Sequence, residues 1–194
     1  MASEGGDVAI LAIGVIVLAQ FATILIYARR YKKVPPNKAM VVFGRKQVRT
    51  RKGYMIILGG AKFILPFLEE TAFLSLEARP LKVTLNKVMV DTRDVKVSIA
   101  LRANTVVRLS SDPRIIELAA TNLLGKSDQE IDDIAMNMIE GPVRNVCART
   151  TLENLKNNFQ EVSSLISNLA NTDLKKVGLE MVSFNIVDVQ HGVF

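Results

Sequence analysis

The sequence has little of the chemistry that most enzymes use. Among its 194 residues there is one cysteine, Cys147, and one histidine, His191, close to the end. A single cysteine excludes an internal disulfide and fits a reducing cytoplasmic environment. No Gly-x-x-x-x-Gly-Lys loop or Gly-x-Gly-x-x-Gly turn is present, and Gly59-Gly60 alone is a weak signal for phosphate binding. The sequence therefore gives no support for catalysis, and no cofactor is expected.

The remaining residues that could carry chemistry have simpler explanations. Cys147 falls in a helical pattern with no histidine near it in sequence, so we expect a small buried cysteine and a solvated terminal His191. Four acidic residues would suit a divalent cation only if they lay in a loop that wraps the ion. They are Asp128, Glu130, Asp132 and Asp133. Because they open a predicted helix, where acidic side chains are favoured, no metal site is expected.

Charge is absent from one long segment near the start. Residues 8 to 27 contain no charged side chain, and a helix of that length is roughly 30 Å long, the thickness of a bilayer's hydrocarbon core. A secretory signal peptide is disfavoured because Glu4 and Asp7 precede the segment and bases follow it. A buried core helix would seldom be uncharged for so long. We therefore predict a membrane anchor with its basic flank over residues 1–33, either crossing the bilayer once or inserted in it. The side chains assigned to the bilayer are Val8, Ile10, Leu11, Ile16, Leu18, Phe21, Ile24, Leu25 and Tyr27.

Acidic residues are absent from the next forty positions. Residues 29 to 68 contain eleven Lys or Arg and no Asp or Glu, whereas residues 69 to 194 carry a net charge of −3. Bases beside an apolar segment hold that side in the cytoplasm and attract anionic headgroups, at about 1 kcal/mol each. Orientation and headgroup contact are assigned to Arg29, Arg30, Lys32 and Lys33. Nucleic acid is not expected as a partner, because no aromatic stacking residues are interleaved with the bases.

The segment after the anchor predicts short strands and a second membrane contact. Pro35-Pro36 is expected to end the helix before a short strand, and "GYMIILGGAKFILPF" predicts two short strands around a bend. These strands hold more apolar side chains than one buried face requires, so we predict a membrane dip. Its apolar residues are Ile56, Ile57, Leu58, Phe63, Ile64, Leu65 and Phe67, and its basic residues are Arg45, Lys46, Arg49, Arg51 and Lys52. The alternative is that the apolar residues fill the core.

The rest of the chain predicts an α+β domain. Alternating apolar residues predict a hairpin whose turn contains Asp91, Arg93 and Asp94. Helices are predicted from residues 113, 128 and 159, each preceded by a capping residue: Asp112, Ser127 or Asn158. Gly141-Pro142 is expected to kink or split the second of these helices. A strand with Val182, Phe184 and Ile186 on one face is predicted to close an antiparallel or mixed sheet.

Four segments in order resemble the SPFH (band 7) domain of the flotillins. They are "VPPNKAMVVFG", "GGAKFILPFLEETAFLSL", "EGPVRNVCARTTLENL" and "LKKVGLEMVSFNIVDVQ". The resemblance spans residues 34–190 and leaves 191–194 as a tail. It implies an α+β domain at the cytoplasmic face of the cell membrane, self-association into homo-oligomers, unidentified membrane-protein clients and a scaffolding role in membrane microdomains without enzymatic activity. Flotillins continue into a long Ala/Glu-rich coiled coil, so we expect the chain either to be truncated or to lack that assembly element.

Two other functions are compatible with the same sequence to different degrees. A stomatin-like regulator that binds a membrane protease or channel would use the same anchor with different client surfaces. A membrane-bound hydrolase is disfavoured because the residue combinations it needs are absent.

Overall fold

The chain begins with one long helix, α1 (Glu4–Arg29). The computed structural model describes residues 4–44, 53–65, 67–92 and 95–191, which divide into two compact units, Met1–Thr71 and Ala72–Phe194. Helices and antiparallel strands occur in largely separate stretches of the chain, so the predicted α+β class with an N-terminal apolar helix is confirmed.

The first unit contains short strands after α1. These are β1 (Tyr31–Val34), β2 (Lys38–Gly44), β3 (Tyr54–Ile57), β4 (Gly60–Phe63) and the start of β5 (Glu69–Ser75). Strand β1 pairs with β4, and a second sheet has the order β3-β2-β5. The two short strands predicted around a bend, β3 and β4, are confirmed, although they do not pair with each other: β3 pairs with β2 and β4 pairs with β1. A small core of four buried residues fixes these strands, namely Val34, Met40, Val42 and Ile64.

The second unit contains one three-stranded antiparallel sheet and four helices. The strands are β6 (Arg79–Thr92), β7 (Val95–Leu109) and β8 (Leu179–His191), in the order β6-β7-β8. The helices are α2 (Pro113–Leu123), α3 (Asp128–Arg149), α4 (Leu152–Asn157) and α5 (Phe159–Val177). Helix α3 packs against β6 and α5, and α5 also packs against β8. The predicted hairpin is confirmed by the β6–β7 register, in which Thr92 faces Val95. The turn residues Arg93 and Asp94 lie outside the described residues.

Bulges change which side chains of the sheet are buried. In β6, Asn86 and Lys87 stand opposite a single residue of β7, and Lys87 has a positive φ of 58°. In β8, the register skips Val182 and Val187, which are 56% and 60% exposed, while Phe184 is buried. A bulge adds one residue to a strand and so inverts the alternation beyond it. The prediction that Val182 and Phe184 share one buried face is therefore wrong.

The N-caps predicted from the sequence are present in the structure, with one exception. Asp112 accepts a hydrogen bond from the N–H of Arg114, and Ser127 and Glu130 form the predicted capping box. Asn158 makes no side-chain cap, because it also ends α4 and its backbone (φ −124°, ψ 48°) lies outside the extended region used by N-caps. The predicted cap at Asn158 is therefore wrong. Helix α4 was also not predicted from the sequence.

Helix α3 continues through Pro142, so of the predicted kink or split the split is wrong, and the kink stays a prediction. Proline clashes with the Cβ of the residue before it and with the carbonyl four residues back. At this position the preceding residue is Gly141, which has no Cβ. Pro142 itself is buried, as are Val143 and Ile139 beside it, so the packing of this face offsets the lost hydrogen bond.

The turn between α5 and β8 depends on Gly178. Its φ is 96°, its N–H bonds the carbonyl of Leu174, and its carbonyl accepts from the N–H of Ser110 at 3.1 Å. A Cβ at this position would overlap the backbone nitrogen of Ala119. The glycine is therefore required both by its backbone angle and by the close approach of α2.

Replacing Gly178 with Ala is expected to lower the free energy of unfolding by about 2 to 4 kcal/mol, since backbone strain and overpacking add. Gly125→Ala is the matched control, because Gly125 has a φ of 81° with no heavy atom within 4 Å of the added Cβ. It should cost only about 1 to 2 kcal/mol. Thermal unfolding of the two detergent-solubilised variants, followed by circular dichroism, measures the difference. Equal losses would contradict the packing argument.

Candidate membrane-proximal site

The end of α1 is joined directly to the first sheet. Helix α1 ends at Arg29, and β1 begins two residues later at Tyr31. Arg30 forms the turn: its N–H bonds the carbonyl of Tyr27, and its own carbonyl accepts from the N–H of Ile64, both at 3.1 Å. The rings of Tyr27 and Phe63 stack with centroids 5.4 Å apart. These contacts leave no flexible linker between the helix and the strands.

Helix α1 has the properties of a membrane span. Its segment Leu11–Arg29 is long and apolar enough to cross a bilayer, and it is the one such helix in the part of the chain that the structure describes. None of the side chains of Leu11–Arg29 is buried by the part of the protein that the structure describes. The predicted anchor residues from Leu11 to Tyr27 are all exposed, and Val8 and Ile10 lie in the same helix.

The four predicted orientation residues lie at the junction. Arg29 ends α1, Arg30 follows it, and Lys32 and Lys33 lie in β1. All four side chains are exposed. The Lys32 ammonium donates to the Thr71 hydroxyl at 2.6 Å. The junction therefore presents four positive charges where the apolar surface of α1 ends.

The residues predicted to form a membrane dip have different environments. Ile64 is 4% exposed and belongs to the core, and Ile57 packs against that core. Phe63 is half-buried beneath Tyr27, and Ile56 and Leu65 are also half-buried. Leu58 is exposed, and Phe67 is fully exposed at 102%. The basic residues predicted to accompany them, Arg45, Lys46, Arg49, Arg51 and Lys52, lie outside the described residues.

Glu69 holds the loop that carries Phe67. Its side chain is 3% exposed, accepts from the N–H of Leu65 at 3.1 Å and pairs with the ammonium of Lys62 at 3.5 Å. Its own N–H bonds the Leu65 carbonyl at 3.1 Å. Phe67 has a positive φ of 65°, which is unfavourable for a residue with a side chain. The carboxylate therefore fixes a turn whose tip presents a large apolar ring to the surroundings.

A cleft of about 610 Å³ lies at the junction. It is lined by residues of both charges, namely Ile26, Arg29, Arg30, Lys32, Ile64, Glu69, Glu70 and Thr71. Its size is within the range of roughly 300 to 1,000 Å³ that is typical of small-ligand sites. The sequence analysis predicted the three bases of this region, Arg29, Arg30 and Lys32, as headgroup-contact residues. It did not predict a role for Glu69 or Glu70. The signal was available, because Glu69 and Glu70 are the first acids after Asp7, with sixty-one residues between that contain none.

Burial or local contacts account for the other residues that were considered for chemistry. Burial raises the pKa of the Cys147 thiol to about 11, so at neutral pH the thiol is protonated and a poor nucleophile. Hydrogen bonds from the Ser127 backbone N–H and hydroxyl lower the pKa of the Glu130 carboxyl. Asp128 and Asp132 bind the guanidinium of Arg79. Within the described residues no group of three or more His, Cys, Asp or Glu could hold a metal ion.

Comparison with known proteins gives consistent matches. The family model "SPFH domain / Band 7 family" matches residues 32–192. Flotillin-like protein FloT of Bacillus subtilis is 29% identical over 188 residues, which is 93% of this chain and 36% of the relative. Flotillin-1 of Homo sapiens and of Mus musculus are each 29% identical over 154 residues, covering 79% of this chain and 35% of each relative.

These matches confirm the flotillin resemblance that the sequence indicates. The chain spans about a third of the length of these curated relatives. Because the family model covers most of the chain, the protein belongs to the SPFH domain / Band 7 family.

Proposed function

We propose that the protein is a membrane-anchored scaffold of the flotillin type, without enzymatic activity, that self-associates and organises membrane microdomains. In this proposal residues 1–33 anchor the chain in the cell membrane, and the domain over residues 34–190 lies at the cytoplasmic face. The observation that carries the proposal is the exposed apolar helix α1, which continues without a linker into the SPFH domain. The flotillin relatives support the scaffold role.

The exposed surface of α1 requires an apolar environment. Large side chains such as Leu11, Phe21 and Ile24 are more than half exposed along its length. Leaving such a continuous apolar surface in water is unfavourable by about 1.5 to 3 kcal/mol for each large side chain. Insertion in a bilayer removes this cost, and the backbone hydrogen bonds of the helix are satisfied internally.

A second contact with the bilayer would be made by the tip of the Leu65–Glu69 turn. Phe67 and Leu68 are both exposed there, and Leu58 and Met55 are exposed in the same unit. A ring and an isobutyl group held at a fixed turn lose little conformational entropy on insertion, and each contributes about 1.5 to 3 kcal/mol when fully buried. The buried members of the predicted dip, above all Ile64, support the turn from within.

The orientation of the anchor follows from the charges at its ends. Glu4 and Asp7 precede the span and Arg29, Arg30, Lys32 and Lys33 follow it, so the N-terminus should face outward. A cysteine placed at Ser3 should react with an impermeant maleimide on intact cells, and one placed at the exposed Ser111 should react only after permeabilisation. The native Cys147 need not be removed, because burial keeps its thiol protonated.

The opposite labelling pattern would reverse the topology. Protection of both positions on intact cells would instead indicate an anchor that enters and leaves on the same side. In permeabilised cells the unmodified chain should remain unlabelled, which tests the assumption about Cys147.

The membrane dip predicts that residue 67 lies in the bilayer interface. An environment-sensitive fluorophore attached to Phe67→Cys, in the full chain in liposomes, should emit at shorter wavelength and be quenched by lipid-borne nitroxides. The same fluorophore at Glu153→Cys, an exposed position on α4, is the solvent reference. Indistinguishable emission and quenching at the two positions would contradict the dip.

Self-association predicts a contact surface on α5. Leu165 and Leu169 are one turn apart and nearly half exposed, whereas the next ridge of the helix is buried. If this pair lies between copies, Leu165→Glu should lower the fraction cross-linked in native membranes about fivefold, because a charge would be buried at the contact. Ser164→Glu is the matched control, because Ser164 is exposed and adjacent residues of a helix do not face the same way. Equal cross-linking of both variants would place the contact elsewhere.

A further inference from the structure

The cleft at the end of α1 carries charges of both signs where lipid headgroups would lie. Arg29 and Arg30 line it from the helix end, and Glu69 and Glu70 line it from β5. A surface that attracts anionic lipids by charge alone would need only the bases. The two carboxylates therefore require a separate explanation, which the contacts within the cleft provide.

The charged groups of the cleft differ in whether the protein already satisfies them. Glu69 is buried and bound by Lys62 and by the Leu65 N–H, and Lys32 donates to Thr71. In contrast, Arg29, Arg30 and Glu70 are exposed and form no ion pair among the residues that the structure describes. Two guanidinium groups and one carboxylate thus remain available to a ligand in the same cleft.

We propose that this cleft binds the phosphoethanolamine headgroup of phosphatidylethanolamine; the inference rests on the membrane anchoring of α1 proposed above. The phosphate would accept hydrogen bonds from Arg29 and Arg30, since guanidinium groups match phosphate oxygens in geometry and charge. The primary ammonium would donate to the carboxylate of Glu70. Ile26, on the last turn of α1, lines the same cleft and would lie beside the start of the acyl chains.

The available groups distinguish this headgroup from other abundant ones. Phosphatidylcholine carries the same phosphate, but its trimethylated nitrogen has no N–H to donate to Glu70. Phosphatidylglycerol offers no cation, so Glu70 would accept only from a neutral hydroxyl and would lose the charge pairing that an ammonium provides. The basic segment as a whole still attracts anionic membranes, whereas the cleft selects a headgroup that has both charges.

Native mass spectrometry of the full chain in detergent tests the preference. The probes are dioleoyl phosphatidylethanolamine, its mono- and dimethylated forms, phosphatidylcholine and phosphatidylglycerol. We expect binding to weaken along the methylation series, with phosphatidylethanolamine bound about tenfold more tightly than phosphatidylcholine, as for the loss of one charge-assisted hydrogen bond. Equal affinity for phosphatidylethanolamine and phosphatidylcholine, or tighter binding of phosphatidylglycerol, would overturn the proposal.

Variants of the cleft residues test which side chains bind the ammonium and which bind the phosphate. Glu70→Gln should abolish the preference for phosphatidylethanolamine while phosphatidylcholine binds as before, and Arg29→Gln with Arg30→Gln should weaken both lipids. Lys156→Gln and Glu153→Gln, which change exposed charges on α4 that do not line the cleft, should change neither affinity. Circular dichroism checks that each variant is folded. A Glu70→Gln protein that keeps the full preference would exclude this carboxylate as the ammonium partner and overturn the proposal.

A soluble competitor separates a lipid from a free metabolite. Glycerophosphoethanolamine has the same headgroup without acyl chains, and at millimolar concentration it should not displace the lipid. Displacement would mean that the cleft recognises a soluble phosphoethanolamine compound, which would overturn the assignment to a lipid. The cysteine-labelling experiment reports on anchoring independently, so a failed lipid preference with the expected topology leaves the proposed function intact.

Discussion

The hydrogen bond between the Ile64 N–H and the Arg30 carbonyl fixes the geometry of the first unit. It continues the β1–β4 pairing up to the last residue of the turn after α1, so that the helix passes into a sheet instead of a linker. The Tyr27–Phe63 stack is a second contact between the last turns of α1 and the end of β4. Because Ile64 is also a core residue, the same short segment joins the anchor, the sheet and the small core. The cleft and the Phe67 turn both flank this segment, and their positions depend on it.

In the second unit the sheet depends on three bulges. If β6 were a regular strand without the bulge at Lys87, Val88 and Val90 would point to the opposite side from Leu85, and all three are buried. If β8 were regular at Val182, Phe184 would likewise leave the face shared with Met181. Each bulge thus allows a strand whose apolar residues do not alternate regularly to keep a single buried face. The cost is a residue with positive φ in β6 and exposed valines in β8.

The sequence predicted features that depend on nearby residues and missed those that depend on distant ones. The apolar run of α1, the cap at Asp112 and the capping box at Ser127 are local patterns, and the structure contains them. Strand β1 was not predicted, because half of "YKKV" is charged and the segment becomes a strand only by pairing with β4, some thirty residues later. The bulges and the failed cap at Asn158 are likewise set by packing. At the site, the bases were evident from their density, whereas the role of Glu69 depends on contact with Lys62 and Leu65.

The absence of a linker after α1 has a mechanical consequence. A transmembrane helix adjusts to a thinner bilayer mainly by tilting, and ordinarily a flexible segment would isolate the rest of the protein from that rotation. Here the last turn of α1 is bonded to the β1–β4 sheet, so the sheet must rotate with the helix. In a membrane whose thickness varies from place to place, the elastic cost of that rotation would differ between regions. In the proposed membrane-spanning arrangement, a rigid junction of this kind would make the energy of the chain sensitive to local bilayer thickness, which would be a physical basis for the proposed sorting within one continuous membrane.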